Sequence, residues 1–510
     1  MATLLFTTSL QEKIQHFCSE DPYHLNDYNL CTLNDFTSSL ELESYLSVHD
    51  SFDIYNVNRS DIIGPEKKNR IKEVAFVNCS ITDFLDNFFE RFDQVDSLFL
   101  KYSGLQKLKN TDFKNAKDLM NVVITGNSIK ILENFTFSPA SKLQYLDLSK
   151  NLIEIVEDKA FDGLQHMMFL DLSRNKLKTI PVQLLNLFKV NLNHENDSKK
   201  SLNLSFNEIE EIPRFEDSLV NVHQLFLNNN KIKHFNCKNF NSWELNLNDN
   251  FMELISLENC SFIRLSIANN NLSKIIISQR LEKVNIKNNK IEEIEVEDGA
   301  VLDELVLTEN RADNIKTLLE DINSLERLRT LELSDGIIGS LNAGCFTKLE
   351  NLRTLNLRNT SISHLQFGTF IKQKELTFLD ISNNNLTDFD LNLLNPLKQL
   401  KILKINGNYL TSFEPTNSIK NILPAIEHIN LSNNNWDCSD LYKILQLMKT
   451  DRILNLSHDS VFNSSNVEGI KCSENISKHQ LNKELIKELQ IIKNQLQIIQ
   501  FNNTKCQMRE

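Results

Sequence analysis

Residues 143–153 read Leu143-Gln-Tyr-Leu146-Asp-Leu148-Ser-Lys-Asn151-Leu-Ile153, and this pattern determines the architecture of the chain. The stretch follows the pattern apolar-x-x-apolar-x-apolar-x-x-Asn-x-apolar, which returns about every 24 residues from Ile71 to Trp436. We count sixteen copies and take the second apolar residue of each as its marker. The markers are Val74, Leu98, Val122, Leu146, Leu170, Leu202, Leu225, Leu245, Leu265, Val284, Leu305, Leu331, Leu355, Leu379, Leu403 and Ile429.

The apolar-x-apolar core of each copy predicts one short strand, because strand side chains alternate between two faces and the leucines can then all point inward. A pattern of this length and spacing is the leucine-rich repeat signature. It predicts an α/β solenoid, a leucine-rich repeat horseshoe of about sixteen repeats with disulfide caps and a short C-terminal coiled-coil helix. The expected domains are an N-terminal cap at 1–70, the solenoid at 71–435, a C-terminal cap at 436–476 and a helical tail at 477–510.

The asparagine of each copy should end its strand and bond the turn backbone of neighbouring coils, which satisfies polar groups that the stack buries. Twelve copies keep it, and Cys79, Ser103, Gly336 and Thr360 replace it in the others. Between Leu225 and Leu305 the repeat interval falls to 19–23 residues, which is too short for a helix on the convex side. A longer interval before Leu202 predicts a polar loop around Lys189 to Lys200.

Composition excludes two classes of partner. The formal net charge is -13, with 55 Lys and Arg against 68 Asp and Glu, so we expect no nucleic-acid partner. No apolar run approaches the roughly 18 residues of a membrane span, so we expect no membrane-spanning segment. A solenoid has no upper core size, because each coil contacts only its neighbours, and one long domain is the better count.

Cysteine positions indicate capping disulfides. Cys18 and Cys31 lie before the first repeat, where the apolar end of a solenoid needs a cap, and their short separation suits a disulfide. Cys438 follows the last repeat and Cys472 lies downstream, which is typical of a matching C-terminal cap. Such disulfides have no use in a reducing cytosol, so they favour a secreted protein.

Three further cysteines are less decisive. Cys237 and Cys260 follow the asparagines of two successive repeats and could be bridged or unpaired. Cys506, near the end of the chain, is either an intermolecular link or a free thiol.

Sequons support secretion only weakly, because an Asn-rich chain contains many by chance. The amino terminus has no convincing signal peptide, and we expect the true signal to be missing or trimmed. The glycosylation candidates are Asn58, Asn134, Asn196, Asn359, Asn463 and Asn475.

The tail from Lys478 to Gln500 carries apolar residues at alternating spacings of four and three, the seam of a coiled coil. Only two to three heptads are present. The tail therefore either forms a homo- or heterodimer that a disulfide at Cys506 stabilises, or folds back as an amphipathic helix on the last repeats.

Neither a catalytic constellation nor a metal-binding spacing occurs in the sequence, and we expect a non-enzymatic protein without cofactors. Function should then lie on the concave strand face, where exposed aromatic and charged residues suit protein contact. An acidic run from Glu292 to Asp313 could attract a basic partner, but most charge runs are solvated surface. The candidate binding residues are Phe99, Lys101, Tyr102, Lys150, Arg174, Phe226, Asp249, Lys287, Glu309 and Arg358.

The C-terminal cap carries a family resemblance. Asn434-Asn-Trp436-Asp-Cys438, followed by a short helix, a further cysteine and a coiled-coil tail, resembles the secreted leucine-rich repeat immune molecules of mosquitoes and related insects. The resemblance implies a haemolymph protein that presents complement-like factors or recognises a microbial surface. The chain departs from that family in lacking an adjacent cysteine pair after Cys472. The leading hypothesis is a secreted innate immune adaptor or pattern-recognition factor. The alternatives are an extracellular adhesion or receptor-ectodomain-like protein in development, and a cytosolic scaffold.

Overall fold

The computed structural model describes residues 45–49, 72–77, 81, 83–84, 88–181, 184, 187, 200–212, 220–237, 240–257, 261–310, 315–412, 418–456 and 465–473. Several predictions from sequence lie outside these residues: the N-terminal cap apart from 45–49, most of the polar loop before Leu202, the helical tail, Cys18, Cys31, Cys79, Cys260, Cys506, Asn58, Asn196, Asn463 and Asn475. The chain divides into two compact units, Met1–Ser273 (unit 1) and Lys274–Glu510 (unit 2).

The described residues of unit 1 form mostly short parallel strands, with one short helix, α1 (Phe88–Arg91), and a 3-10 turn at Asn110–Phe113. Its described strands are β1 (Tyr45–His49), β2 (Glu73–Val77), β3 (Ser97–Lys101), β4 (Asn121–Val123), β5 (Ile131–Leu132), β6 (Tyr145–Asp147), β7 (Ile155–Val156), β8 (Phe169–Asp171), β9 (Ser201–Asn203), β10 (Val220–Phe226), β11 (His234–Asn236), β12 (Phe240–Asn246), β13 (Leu254–Ser256) and β14 (Ser261–Ser266).

The main sheet of unit 1 stacks one strand per repeat in the order β1-β2-β3-β4-β6-β8-β9-β10-β12-β14, and every pair is parallel. Markers pair with markers, as Leu146 does with Leu170. Both leucines are fully buried, while the residues on either side of them face outward. The register therefore keeps the leucines of all coils in one apolar core, as the repeat pattern predicts.

The opposite side of unit 1 closes that core. Phe113, Phe137 and Phe161 pack from coil to coil, with ring centroids 5.0 and 5.9 Å apart. Short parallel pairs, β5 with β7 and β11 with β13, line this back surface. Strands rather than helices occupy the short intervals after Leu225, as the interval length predicts.

The asparagine ladder is present and bonds as expected. Asn151 donates its amide N–H groups to the carbonyls of Ile124 and Leu148, at 2.7 and 3.0 Å, and its oxygen accepts from the Ile129 N–H. Thr360, in unit 2, substitutes by donating to Leu357 O at 2.8 Å. The asparagine therefore joins its own coil to the preceding one, which satisfies backbone groups that stacking removes from water.

Unit 2 repeats the same architecture. Its main sheet is parallel, in the order β16-β18-β19-β20-β21-β22-β23-β24, and β15 pairs with β17 on the back. Its strands are β15 (Lys274–Ile277), β16 (Lys283–Asn285), β17 (Glu293–Val296), β18 (Glu304–Val306), β19 (Thr330–Glu332), β20 (Thr354–Asn356), β21 (Phe378–Asp380), β22 (Ile402–Lys404), β23 (His428–Asn430), β24 (Leu454–Asn455), β25 (Asn466–Val467) and β26 (Ile470–Lys471).

The described part of unit 2 contains two longer helices, α2 (Ile315–Asn323) and α3 (Cys438–Thr450), and 3-10 turns at Leu391–Leu394 and Ile419–Asn421. The helix α2 occurs where the interval between markers lengthens again. All sixteen marker positions lie in main-sheet strands, nine in unit 1 and seven in unit 2. Each unit is therefore a leucine-rich repeat solenoid with little helix.

The C-terminal cap is held by a disulfide and a capped helix. Cys438 and Cys472 are bonded, with an S–S distance of 2.04 Å, as predicted. Asp437 begins α3 by accepting from the N–H groups of Ser439 and Asp440. Trp436 is fully buried and donates from Nε1 to Leu431 O at 2.7 Å. Together these contacts close the apolar end of the last described coils. The bounds of the four predicted domains themselves stay a prediction.

Candidate functional site: the strand face

Each coil presents three outward positions, two on its main-sheet strand and one in the turn that follows. We name the columns that these positions form. In the coil of Leu146, the first column is Tyr145, the second column is Asp147, and the rim column is Lys150, which precedes the ladder asparagine. Residues of one column are neighbours from coil to coil, roughly 4.8 Å apart. The strand face of a unit is the surface made by its three columns.

The rim column of unit 1 carries exposed aromatic and cationic side chains on left-handed backbone. We call Tyr102, Lys150, Arg174 and Phe206 the rim ridge; their φ angles are 52°, 55°, 55° and 55°. A non-glycine residue adopts this conformation only when the surrounding structure imposes it. The turn into the ladder asparagine imposes it here and directs these side chains outward.

Contacts between coils order the rim ridge. The Tyr102 ring lies over Gly126, where a Cβ would come within 2.3 Å of the ring, so glycine is required there. Lys150 Nζ donates to the Tyr102 hydroxyl at 3.4 Å. The Arg174 guanidinium lies 4.0 Å from the centre of the Phe206 ring, which is 40% exposed. The ridge is thus a set of paired cations and aromatic rings at the surface.

The first and second columns of the same coils place aromatic rings beside carboxylates. Tyr145 and Phe169 stack with ring centroids 4.6 Å apart. Asp147 and Asp171 follow them on the same strands, in adjacent coils. Burial raises the pKa of the Tyr145 hydroxyl well above its ordinary value, and the two carboxylates add to the rise.

The surroundings of Asp171 disfavour the charged form of its carboxylate. Burial raises its pKa above the ordinary value, and the neighbouring Asp147 carboxylate raises it further, while hydrogen bonds from Ser173 and Asn203 oppose the rise. Asn203 Nδ2 donates to Asp171 Oδ2 at 2.8 Å, and the Ser173 N–H donates to Oδ1 at 2.7 Å. Among the residues that the structure describes, neither aspartate forms an ion pair with a cation. Perturbed groups of this kind concentrate at functional sites.

Seven of the ten residues predicted from sequence lie in the columns of the strand face. The other three lie one residue before the rim column, and they are Lys101, Lys287 and Arg358. The structure brings together only some of the ten. Phe99, Lys101 and Tyr102 are close neighbours, and Lys101 Nζ lies 5.7 Å from the Phe99 ring centre. Lys150 and Arg174 join them through the rim ridge. The half-buried Phe226 lies at the end of β10, several coils away. Their role in binding stays a prediction.

The remaining predicted residues are engaged in local pairs or stand apart. Asn269 donates to the Asp249 carboxylate at 2.7 Å. In unit 2, Lys287 and Glu309 form an ion pair of 2.9 Å. Arg358 is exposed and lies two residues after the end of β20. Sequence reasoning missed Tyr145, Phe169, Asp147 and Asp171, since each fits the repeat pattern and draws no attention alone.

Two carboxylates on the strand face of unit 2, Glu304 and Asp380, have cations beside them. Lys283 and Glu304 pair at 2.5 Å, and Lys404 lies 3.4 Å from Asp380. Burial raises the pKa of Glu332, whose carboxylate accepts from Asn356 Nδ2 at 2.6 Å. This strand face therefore differs from that of unit 1 in how its acids are neutralised.

The acidic run between Glu292 and Asp313 is also largely paired. Lys274 bridges Glu293 and Glu295 at 2.8 and 2.9 Å, and Arg329 pairs with Asp303 at 3.0 Å. The run itself contains Arg311 as its only basic residue, but its partners come from neighbouring coils. These exposed pairs favour the interpretation of a solvated surface over that of a site for a basic partner.

Other candidate groups carry little chemistry. The described residues contain no group of three or more His, Cys, Asp or Glu that could hold a metal ion. Cys345 is a free, half-buried thiol whose pKa burial raises to about 12, so the thiolate is disfavoured. Cys237 is disulfide-bonded, but its predicted partner Cys260 lies outside the described residues.

Two of the glycosylation candidates are described, and both are exposed. Asn134 accepts from the Lys159 N–H at 2.8 Å. Asn359 donates from Nδ2 to Asp335 at 2.9 Å. Along the described chain, no helix is long and apolar enough to cross a bilayer.

Comparisons with known proteins agree with the fold. A family model described as a leucine rich repeat matches residues 93–153, 117–177, 141–197 and 326–386. No curated protein sequence matches the chain.

Among solved structures, a leucine-rich repeat protein of Leptospira interrogans is 20% identical, over 74% of this chain and 100% of that one, with a TM-score of 0.53. A chain of the Drosophila Toll–Spatzle complex is 17% identical over 84% of this chain, with a TM-score of 0.56, and this chain covers 58% of it. The mosquito LRIM1/APL1C complex is 18% identical, over 91% of this chain and 77% of that one, with a TM-score of 0.49. The likeness is one of fold: this chain contains a leucine-rich repeat domain.

Proposed function

We propose that the chain is a secreted, non-enzymatic recognition protein that binds a protein partner through the strand face of unit 1, as an adaptor or pattern-recognition factor in innate immunity. The observation that carries the proposal is the rim ridge beside the Asp147 and Asp171 carboxylates. Exposed aromatic rings and arginine are the residue types that contribute most to protein–protein affinity.

The geometry of the ridge suits binding more than packing. Tyr102 is 51% exposed and Phe206 is 40% exposed, so each leaves apolar area in water that a partner would cover. Contacts with Gly126, Lys150 and Arg174 hold the rings in place before any partner arrives. A surface ordered in advance loses less conformational entropy on association.

Secretion is supported by the disulfides. The Cys438–Cys472 bond closes the C-terminal cap, and Cys237 is also oxidised. Such bonds persist in oxidising compartments and are rare in the cytosol. The immune setting is drawn from the sequence resemblance of the cap, which includes Trp436 and Cys438.

The binding function is tested with a photo-reactive amino acid. Para-azidophenylalanine replaces Tyr102 or Phe206 on the rim, or Phe135 on the back as the matched control. Phe135 is an aromatic residue of the same unit, 38% exposed, with a φ of 63°, so the three sites share residue type and backbone conformation. Insect haemolymph supplies the partners, because of the family resemblance. We expect one discrete adduct from both rim sites and none from Phe135. Adducts from Phe135 alone, or equal labelling from all three sites, would contradict the proposal.

Secretion and pairing are tested by the intact mass of protein secreted from insect cells behind a supplied signal peptide, before and after reduction. We expect a glycosylated species near twice the chain mass of 59.1 kDa that halves on reduction, with Cys506 as the link. A monomer insensitive to reduction would exclude this dimer. Free thiols throughout would contradict secretion.

A further inference from the structure

One tripeptide occurs on the strand faces of both units with different surroundings. Phe169-Leu170-Asp171 forms β8 in unit 1, and Phe378-Leu379-Asp380 forms β21 in unit 2. In both, the phenylalanine lies in the first column and the aspartate in the second. A serine two residues later donates its backbone N–H to the aspartate, at 2.7 Å and 2.9 Å. The two sites therefore offer the same ring and the same carboxylate.

In unit 2 a cation occupies this site. The next coil places Lys404 in the second column, beside Asp380. Its Nζ lies 5.1 Å from the centre of the Phe378 ring and 3.4 Å from Asp380 Oδ2. The ammonium group thus contacts the ring face and the carboxylate at once, which is a favourable position for a partly desolvated cation.

In unit 1 the same position of the next coil is Asn203, a neutral residue. The coil before Asp171 adds a second carboxylate, Asp147, and a second ring, Tyr145, stacked on Phe169. Unit 1 therefore has two rings and two carboxylates but, among the described residues, no ion-paired cation. One oxygen of Asp147 accepts from the Ser149 N–H at 2.9 Å; the other has no hydrogen bond within the part of the chain described.

We propose that the protein partner supplies the cation that this site lacks, as an arginine side chain bound against Tyr145 and Phe169 and between Asp147 and Asp171. This inference rests on the proposed function, of which it names the partner's chemistry. The site is defined by these four residues and is called the acid–aromatic site.

Arginine fits the acid–aromatic site better than lysine. The two carboxylates lie on adjacent coils roughly 4.8 Å apart, and the planar guanidinium carries five N–H donors that can reach both. Its flat face can also lie on an aromatic ring, which an ammonium group matches less well. Binding would end the repulsion between Asp147 and Asp171 that the fold otherwise retains.

The experiment compares two sensor surfaces in biolayer interferometry. One carries the peptide Gly-Gly-Arg-Gly-Gly and the other carries the same peptide with citrulline, which has the shape of arginine without its charge. The full-length chain is applied at low ionic strength, where exposed electrostatics are least screened. We expect at least about tenfold stronger retention on the arginine surface.

Two variants of equal charge test the location. Asn203→Lys places a lysine where unit 2 has Lys404, and so fills the site from within. Gln165→Lys adds the same charge to an exposed turn of the same unit, away from the strand face. We expect Asn203→Lys to lower retention about tenfold, to the citrulline level, and Gln165→Lys to retain as wild type. Asp147→Asn, which keeps the acceptor for Ser149, should also lower it. Unfolding midpoints confirm that each variant folds.

Three results would overturn the inference. They are equal retention on both surfaces, equal retention of Asn203→Lys and Gln165→Lys, and loss of retention in EDTA, which would make a divalent cation the occupant. A rim adduct from haemolymph that forms equally well with Asn203→Lys would also overturn it, and would leave the proposed binding function intact. Absence of any rim adduct contradicts the proposed function, whatever the sensors show.

Discussion

β8 and β21 carry the same three residues, yet the aspartate has different charged and polar neighbours in the two strands. In β21, Asp380 is 4% exposed and paired with Lys404. In β8, Asp171 has the amide of Asn203 and the carboxylate of Asp147 as neighbours. Because repeat and register are the same, the difference comes from the neighbouring coils. The next coil has Asn203 where unit 2 has Lys404, and the preceding coil has Asp147 where unit 2 has Asn356. A solenoid can therefore change the chemistry of its face without changing its core.

The comparison also separates stability from function. Pairing Asp380 with Lys404 neutralises a buried charge and benefits the fold. Leaving Asp147 and Asp171 side by side costs stability, since like charges in adjacent coils repel and burial disfavours the charged form of Asp171. A cost of this kind, kept where exposed aromatic rings cluster, is typical of a binding site.

The largest expected effect comes from giving unit 2 the arrangement of unit 1. Lys404→Asn leaves Asp380 buried without its cation, and we expect a loss of about 1–2 kcal/mol, reduced from the cost of a fully buried pair because the lysine is partly exposed. The measurement is the midpoint of urea unfolding. Asp380→Asn in the same background should recover most of the loss; no recovery would show that Lys404 stabilises by packing instead.

Asp147→Asn should stabilise unit 1 by about 0.5–1 kcal/mol, because it removes the charge that repels Asp171 and keeps the acceptor for Ser149. The folded pKa of Asp171 is raised, so its contribution to stability is full below the unfolded pKa and is lost as pH rises through the folded pKa. The gain in thermal midpoint of the variant should therefore be absent in acid and appear as pH rises through that window. A gain that is constant with pH would refute the electrostatic explanation.

The smallest change in stability is expected for Asn203→Lys, a few tenths of a kcal/mol at most. The new ion pair with Asp171 gains little at a half-exposed site, and the substitution loses the bonds that Asn203 accepts from Ser205. Thermal melts of this variant and of Gln165→Lys should nearly coincide. A shift of several degrees in either direction would show that the two strand faces are not equivalent templates.

Much of this fold is predictable from the sequence because its determinants are local. The markers repeat at fixed spacing, and the ladder asparagines bond backbone groups of their own and the preceding coil, so neither depends on distant residues. The Cys438–Cys472 bond was predicted from its place beside Trp436 for the same reason.

The acid–aromatic site escaped prediction because its meaning lies between coils. Asp171 differs from Asp380 through residues of the neighbouring coils, among them Asn203 and Lys404, which lie 32 and 24 residues further along the chain. The prediction for the acidic run near Glu293 was incomplete for the same reason, because Lys274 pairs with it from the preceding coil. Aligning the repeats and reading each column across neighbours would have found both.

Asp171 lacks an ion-paired cation among the described residues, and its pKa is the property that reports this lack. Carboxyl carbon-13 NMR across a pH titration, with Asp171 assigned by substitution, gives that value in the free protein. The account predicts a pKa above the ordinary value for aspartate, which falls when the arginine pentapeptide is added and not when the citrulline pentapeptide is added. A pKa below the ordinary value in the free protein would mean that the carboxylate is already neutralised, and would contradict the account.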